Sequence, residues 1–583
     1  MKNIISIILV IVLNVFSLQA KESNTDRLYQ WFVRSQGRNG LVPSGEGKEY
    51  CFTYDEALSA MVFTLFGDLR RAETVFDFFK NIIQEQERCG KFSGFADMYE
   101  MNGNVGGASR AAGPNAWLLL AVNHYTQVTG NKQYLQMAET LAEWLASLEG
   151  IEGGITGGYD EKGKAFGWIS TEHNLDCYAG FRDLYLLTGE EKFLRMSKRI
   201  LSNLENFLWF KQEKRFFNGA MDANYATDVS SWAVCSLGKE YSACLDFAVS
   251  KSLTTQRYEK NNAEVRGFDF GATYWESHYP DKDSVWLEGT GQMVLAFYIA
   301  GRNKEADLYL KEMAKTVTPS EVHKGTKALP YATNPGTPAG SGWIMGPEPL
   351  CVSSTAWYLF CLKKFNPFSI QDLTKSNQKI RAVDEIIKEQ YVPIVDDFNQ
   401  GVIKCLTAYP LALQMKGDAN IELRCSGETV SGPGALCIRF MPGREYEFKH
   451  SRYWSAQETK TAWAVIKRRF FRPQDWSGFS SLSLYLRSGG APEKFRIKVL
   501  DRDSETWQAR EIVVDHAEWK KYDFSFSGDF SKDGEAPVGN GNNVFDKDQV
   551  KEIMFSVKQG KESYESNIYL DEIVLEKSDV KGK

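Results

Sequence analysis

Glu288 lies in Trp286-Leu287-Glu288-Gly289-Thr290-Gly291, between an indole and two glycines. An aromatic neighbour strips water from a carboxyl and raises its pKa, as a general acid needs near neutral pH. The glycines would let a ligand approach the backbone. Glu172 opens a second cluster, Ser170-Thr171-Glu172-His173-Asn174-Leu175-Asp176. Glu172 and Asp176 are four apart and share one face of a helix, and His173 is placed to hold a hydroxyl. Asp55 follows Tyr54 in Thr53-Tyr54-Asp55-Glu56-Ala57. A carboxylic acid that protonates a leaving oxygen, and a carboxylate that activates water or attacks carbon, are the minimal set for cleaving a glycosidic bond. Glu288, Glu172 and Asp55 are therefore the candidate catalytic groups. Tyr54, His173, Asp176 and Asp228 are candidate binding neighbours. Helix N-capping explains Asp55 and Asp228 equally well, and Glu172 and Glu288 less well.

Six aromatic and histidine side chains fall in loops or at helix starts, where packing demands them least: Trp168, Tyr274, Trp275, His278, Trp286 and Trp343. Flat rings there would stack on sugar rings. Trp117, Trp144, Trp209 and Trp357 sit in amphipathic patterns and are expected in the core. The chain has no phosphate-binding loop, dinucleotide fingerprint or HExxH. His173, His278 and His323 are too scattered for a zinc set, so no cofactor is expected for catalysis.

These residues need a scaffold, and from about residue 25 to 365 the apolar spacing is helical. One unit recurs: a helix end, a turn with glycine, then a second amphipathic helix. The turns carry Gly67, Gly130, Gly189, Gly238 and Gly301, at intervals of 49 to 63 residues. Glycine suits a helix C-terminus because it takes a left-handed conformation without a Cβ clash. Asp55, Asn115, Glu172, Asp228 and Glu288 precede these glycines by 10 to 17 residues. Each belongs near the start of the first helix of its hairpin, and five hairpins so deliver a polar residue to one rim. A helix from about Ser353 to Lys364 can pair with one near Thr25 to Ser35 and close the ring. Beyond about 391 the period becomes two, as in Leu482-Ser-Leu-Tyr-Leu and Ile568-Tyr-Leu-Asp-Glu-Ile-Val-Leu, which predicts an antiparallel sandwich.

On the hairpin repeat and the motifs around Asp55, Glu172 and Glu288, residues 21–365 resemble the six-hairpin (α/α)6-toroid glycosidase superfamily. Residues 391–578 resemble galactose-binding-like jelly-roll modules that bind carbohydrate, on Val395-Asp396-Asp397-Phe398, Asp475-Trp476-Ser477-Gly478-Phe479 and Tyr569-Leu570-Asp571-Glu572-Ile573. A linker over 366–390 joins the two. The resemblance implies a hydrolase of a polysaccharide or oligosaccharide. A lyase or epimerase on the same toroid and a non-catalytic glycan-binding protein are the alternatives, because this fold hosts several chemistries. It also implies a structural Ca²⁺ between Asp397 and Asp571, since oxygen ligands at strand ends suit that ion.

The 583 residues exceed one core's worth, and 43% apolar with 25% charged content is ordinary for a folded soluble chain. A net charge of −6 with no basic run argues against a nucleic-acid surface. Lys2, the apolar run Ile4–Leu18 and Ser17-Leu18-Gln19-Ala20 read as a signal peptide over residues 1–20. The mature protein is thus expected outside the cytoplasm, secreted or periplasmic, with no membrane segment. Among ten cysteines, Cys51–Cys89 and Cys425–Cys437 are candidate bridges that the sequence leaves open.

Overall fold

The structure, a computed structural model, describes residues 23–370 apart from 151–153, 221, 223, 272–282, 336–337 and 340–342, and beyond that the strands and turns between 394 and 577 named below. The signal segment, Tyr274, Trp275, His278, Asp397 and most of the expected linker lie outside the described residues; of Trp343 only the backbone is described.

The described helices alternate between two kinds. α2 (Thr53–Leu65), α4 (Ala112–Thr129), α6 (Thr171–Thr188), α8 (Thr227–Leu237), α10 (Leu287–Ile299) and α12 (Val352–Lys363) are buried on nearly every side. In α10 every residue from Leu287 to Phe297 is buried. A helix apolar all round needs neighbours all round. Those neighbours are α1 (Asn24–Ser35), α3 (Leu69–Cys89), α5 (Leu135–Ala146), α7 (Glu191–Asn203), α9 (Ala243–Ser252) and α11 (Asn303–Ala314). Several of these are clearly amphipathic: α7 buries Phe193, Leu194, Ile200 and Leu201 and leaves Lys192 and Arg195 exposed.

The packing order closes on itself. α2 packs on α4, α4 on α6, α6 on α8, α8 on α10, α10 on α12, and α12 back on α2. Each outer helix packs on the inner helix of its hairpin, and α1 packs on α12. The expected glycine turns are present. Gly130 at φ +66° and Gly189 at φ +76° end α4 and α6, each donating its N–H to the carbonyl four residues back.

Five of the six inner helices are laced to their loops by their fourth residue. Asn115 of α4 accepts Phe95 N at 2.8 Å, and Asn174 of α6 accepts Ile155 N at 2.8 Å. Glu56 of α2 accepts Val42 N at 2.6 Å, Thr290 of α10 accepts Phe268 N at 3.0 Å, and Thr355 of α12 accepts Leu329 N at 2.9 Å. These side chains satisfy loop donors that would otherwise be buried unpaired. They also fix the loops against the helix starts.

Residues 366–370 belong to the helical body, not to a free linker. Phe368 is fully buried, with its ring 5.1 Å from Trp117 and 5.2 Å from Trp232. Asn366 Nδ2 donates to Cys235 O, His124 Nε2 to Pro367 O, and Ile370 N to Asp183 Oδ2. Cys51 and Cys89 are both unbridged thiols, the first buried and the second exposed, so that candidate disulfide is absent.

The C-terminal strands form two antiparallel sheets. Labelled in chain order, they are β1 (Ile394–Asp396), β2 (Ile421–Ser426), β3 (Ala435–Phe440), β4 (Tyr446–Lys449), β5 (Trp454–Glu458), β6 (Trp463–Gln474), β7 (Ser481–Ser488), β8 (Glu493–Leu500), β9 (Thr506–Ala509), β10 (Ile512–Val514), β11 (Lys520–Ser525), β12 (Phe530–Lys532), β13 (Val550–Lys558) and β14 (Ser566–Glu576). One sheet runs β2-β3-β14-β7-β11 with β1 also on β14; the other runs β4-β5-β6-β13-β8-β9-β12 with β10 on β8. Phe495, Ile497 and Val499 of β8 alternate inward, as the period of two requires. Trp476 is fully buried in this core, and Trp507 stacks on Phe545. The first and last strands do meet, with Asp396 opposite Ile573.

Candidate active site

Counting from each inner helix's first residue, the second position gives Tyr54 (α2), Gly113 (α4), Glu172 (α6), Asp228 (α8), Glu288 (α10) and Ser353 (α12). Four residues on, and so one turn deeper on the same face, the sixth gives Leu58, Trp117, Asp176, Trp232, Gln292 and Trp357. Contacts across the ring show that both sets meet near its axis. Tyr54 Oη donates to Glu288 Oε1 at 2.6 Å. Gln292 Nε2 donates to the same oxygen at 3.3 Å, and Ser353 also hydrogen-bonds Glu288. Below them the indoles of Trp117, Trp232 and Trp357, from alternate inner helices, lie 5.3 to 6.4 Å apart. Trp357 Nε1 donates to Tyr54 Oη at 3.0 Å, tying the two layers together.

The upper layer holds three carboxyls within electrostatic reach of one another. Burial, then Asp228, then Glu288 push the Glu172 carboxyl well above the usual range. Burial and Glu288 push Asp228 up to about 7, against the pull of the Val229 N–H, which donates to Asp228 Oδ1 at 2.7 Å. Glu288 is raised by burial but pulled back by Tyr54, Ser353 and Gln292, donors that favour its ionised form. Asp176, fully buried, is raised well above its usual range by burial, Glu172 and Asp228. Trp117 Nε1 lies toward Asp176 without reaching hydrogen-bond geometry.

Asp55 and Glu56 extend the acidic group outward. Burial drives each up to about 8. Asp55 is bonded to Ser44 of the loop before β-residues 50–52, not to a residue of the axis. No Lys, Arg or His acts as a partner of any of these six carboxyls among the described residues. A buried carboxylate without a counter-charge is costly, so burial raises the proton affinity of each of the six.

Of the rim residues expected from the sequence, Trp168 is exposed and Trp286 is buried. Trp168 is 44% exposed, stacked beside Phe166 and 5.4 Å from the His173 ring, which makes it an available platform. The His173 ring is kept neutral, its pKa lowered to about 4 by burial. Trp286 is not such a platform. It is 5% exposed and packed with Phe270, Ala332 and Met345. Gly289 and Gly291 serve packing too. A Cβ at Gly289 would stand 2.1 Å from the Trp286 ring, and one at Gly291 3.1 Å from Trp357. The desolvation of Glu288 therefore comes from its place in the closed ring.

Three partners in the site were not singled out from sequence: Ser353, Gln292 and the indole N–H of Trp357. Only a register of helix starts, which places them at second and sixth positions, could have found them. Of the pair implied to hold calcium, Asp571 is the described member; it is fully buried, and its oxygens accept Val430 N and Glu572 N. No group of three or more His, Cys, Asp or Glu suited to a metal exists among the described residues.

No family model matches the chain, and no curated protein matches it. Among solved structures, a wild-type glycosidase overlaps 59% of this chain and 97% of its own, at 12% identity and TM-score 0.45. A sugar epimerase from a ruminal bacterium overlaps 58% and 96%, at 12% identity and TM-score 0.43. A family 11 carbohydrate-binding module from Clostridium thermocellum, in complex with a mixed-linked tetrasaccharide, overlaps 28% and 94%, at 16% identity and TM-score 0.21. Likeness this distant assigns no activity; the helix packing and the axial residues stand on their own.

Proposed function

We propose that this chain is an exported glycoside hydrolase, an (α/α)6 toroid bearing a jelly-roll carbohydrate-binding module, with Glu172 as general acid and Glu288 as general base. The observation that carries the reading is the unequal treatment of two axial carboxyls. Glu288 has three hydrogen-bond donors that favour its anion. Glu172 has no such donor among the described residues and faces two other acids. Environments that push two carboxyls apart in this way assign acid and base.

In this mechanism Glu172 gives its proton to the glycosidic oxygen as the bond to the anomeric carbon breaks. Glu288 takes a proton from the attacking water, and Tyr54 Oη holds the Glu288 oxygen that is not needed for that transfer. Asp228 keeps Glu172 protonated by disfavouring a second negative charge nearby. Trp168 and His173 offer stacking and hydroxyl contacts at the rim. Asp55 acts on the helix start and not on the substrate.

The test is reducing-end release from a panel of glucans, xylans, mannans, arabinans and galactans by the full mature chain. Glu172→Gln and Glu288→Gln should each cut turnover by about a hundredfold or more. Turnover that survives in both variants refutes the assignment.

A further inference from the structure

We infer that Tyr50 and Phe52 form a second sugar-stacking platform, across the start of α4 from Trp168, so that the ligand lies as an extended oligosaccharide over the α2–α4–α6 half of the rim. This rests on the carbohydrate reading above and adds the binding mode and two residues to it. The six helix starts differ in exposure. The capping residues of α8, α10 and α12 (Ala226, Trp286 and Cys351) are buried. Those of α2, α4 and α6 (Phe52, Ala111 and Ser170) are exposed or half-buried. The second positions follow the same division. Tyr54 and Glu172 are half-buried, whereas Asp228, Glu288 and Ser353 are buried. The open approach to the axial acids is therefore on the α2–α4–α6 side. At α4 the second position is Gly113, where a Cβ would stand 2.4 Å from the His173 ring. That half-buried ring fills the space over the start of α4.

Two aromatic pairs flank this side. Tyr50 and Phe52 alternate with the buried Cys51, so they share the outer face of a short strand that pairs with Met98–Glu100. Phe52 is 40% exposed, and its ring stands 5.5 Å from the Tyr50 ring at 70°. The backbone beneath is fixed: Phe52 N donates to Ser44 Oγ at 2.8 Å and Thr53 N to Asp97 O at 3.0 Å. The other pair is Trp168 and Phe166 before α6. The Trp168 indole lies directly over Gly157, where a Cβ would come within 2.4 Å of it. Rings already held in place can take the apolar face of a sugar with little further ordering cost. Phe52 lies two residues before Tyr54 and Trp168 four before Glu172, so both stand at the end of the ring that carries the acids. Packed helices are about 8–10 Å apart, which puts the starts of α2 and α6, with α4 between them, about 15 Å apart. That span is longer than a disaccharide and suits a short oligosaccharide lying across the acids.

The experiment uses full-length mature Glu172→Gln, so that ligands bind without turning over. Calorimetric titrations cover cello-, xylo-, manno-, arabino- and galacto-oligosaccharides from disaccharide to hexasaccharide. Phe52→Ala and Trp168→Ala, each added to that background, should weaken the hexasaccharide about three- to tenfold. Each should leave the disaccharide within about twofold, because the other platform still holds it. Phe52→Tyr keeps a ring and should restore the long-chain affinity. Val128→Ala, which trims an apolar side chain 60% exposed at the far end of α4, should change no affinity. Unchanged hexasaccharide binding in Phe52→Ala, or an equal loss at every chain length, overturns the inference. Reducing-end release by the parent chain is followed separately. Hydrolysis without a length-dependent loss in Phe52→Ala leaves the hydrolase reading and removes this one. A length-dependent loss without hydrolysis does the reverse. Binding of no oligosaccharide in the panel overturns the platform outright.

Discussion

Replacing Asp228 by Asn should make the protein more stable at pH 8 and leave it nearly unchanged at pH 4. The Asp228 carboxyl is 5% exposed, and its pKa rises from 3.8 to about 7 on folding. Between those two values the unfolded chain has lost the proton and the folded chain still holds it. Folding stability therefore falls as pH rises through this window, by up to about 1.4 kcal/mol per pH unit for one group. The stability is complete below the unfolded value and is spent once pH passes the folded one. A rise of about three units corresponds to roughly 4 kcal/mol lost by pH 8. Asn keeps an oxygen for the Val229 N–H and removes the charge, so it escapes that loss. The assay is urea unfolding of parent and variant at pH 4, 5, 6, 7 and 8, read by tryptophan fluorescence. The two stability curves should coincide near pH 4 and diverge to between about 2 and 4 kcal/mol at pH 8, because Glu172 and Glu288 share part of the same penalty. Parallel curves, or a variant that is less stable throughout, would mean that Asp228 is ionised and well solvated in the fold, and the reasoning about the ring would be wrong.

Tyr54→Phe removes the donor to Glu288 Oε1 and strands Trp357 Nε1. A hydrogen bond to a charged group contributes about 1.5–3 kcal/mol, so the acid limb of the kcat/KM profile should move up by about one to two pH units; an unmoved limb removes Tyr54 from this role. Phe368→Ala takes a fully buried ring from beneath Trp117 and Trp232. It should cost about 3–5 kcal/mol in unfolding free energy, whereas a loss under about 1 kcal/mol would return 366–370 to the status of a tether. Gly289→Ala places a carbon 2.1 Å from the Trp286 ring. It should lower stability and disturb Glu288, while Gly301→Ala, at a turn with open space around it but φ +77°, should cost only the backbone strain of about 1 kcal/mol.

The helix pairs were legible because local rules enforce them. Glycine turns at Gly130 and Gly189 and apolar spacing fix each hairpin without reference to distant residues, and alternation in Phe495-Arg-Ile-Lys-Val fixes a strand in the same way. Glu172 and Asp176 could be put on one face for the same reason. Which residues face the axis could not be read in this way. Nearly all of α10 is apolar and buried, so its sequence has no moment that distinguishes the axis from the outer helices. Trp286 and Glu288 looked like one functional unit, yet two residues along a helix start send them to different places, Trp286 into a side cluster and Glu288 to Tyr54. Residues 366–370 read as linker because their partners, Trp117, His124, Asp183 and Trp232, come from three other hairpins. The sequence alone determined the hairpins, the strands and the supply of acids at helix starts, since these depend on neighbours within a turn or two. Only closure of the ring decided which acids oppose one another and which carry donors, because proton affinity depends on burial and on charges brought together from separate hairpins.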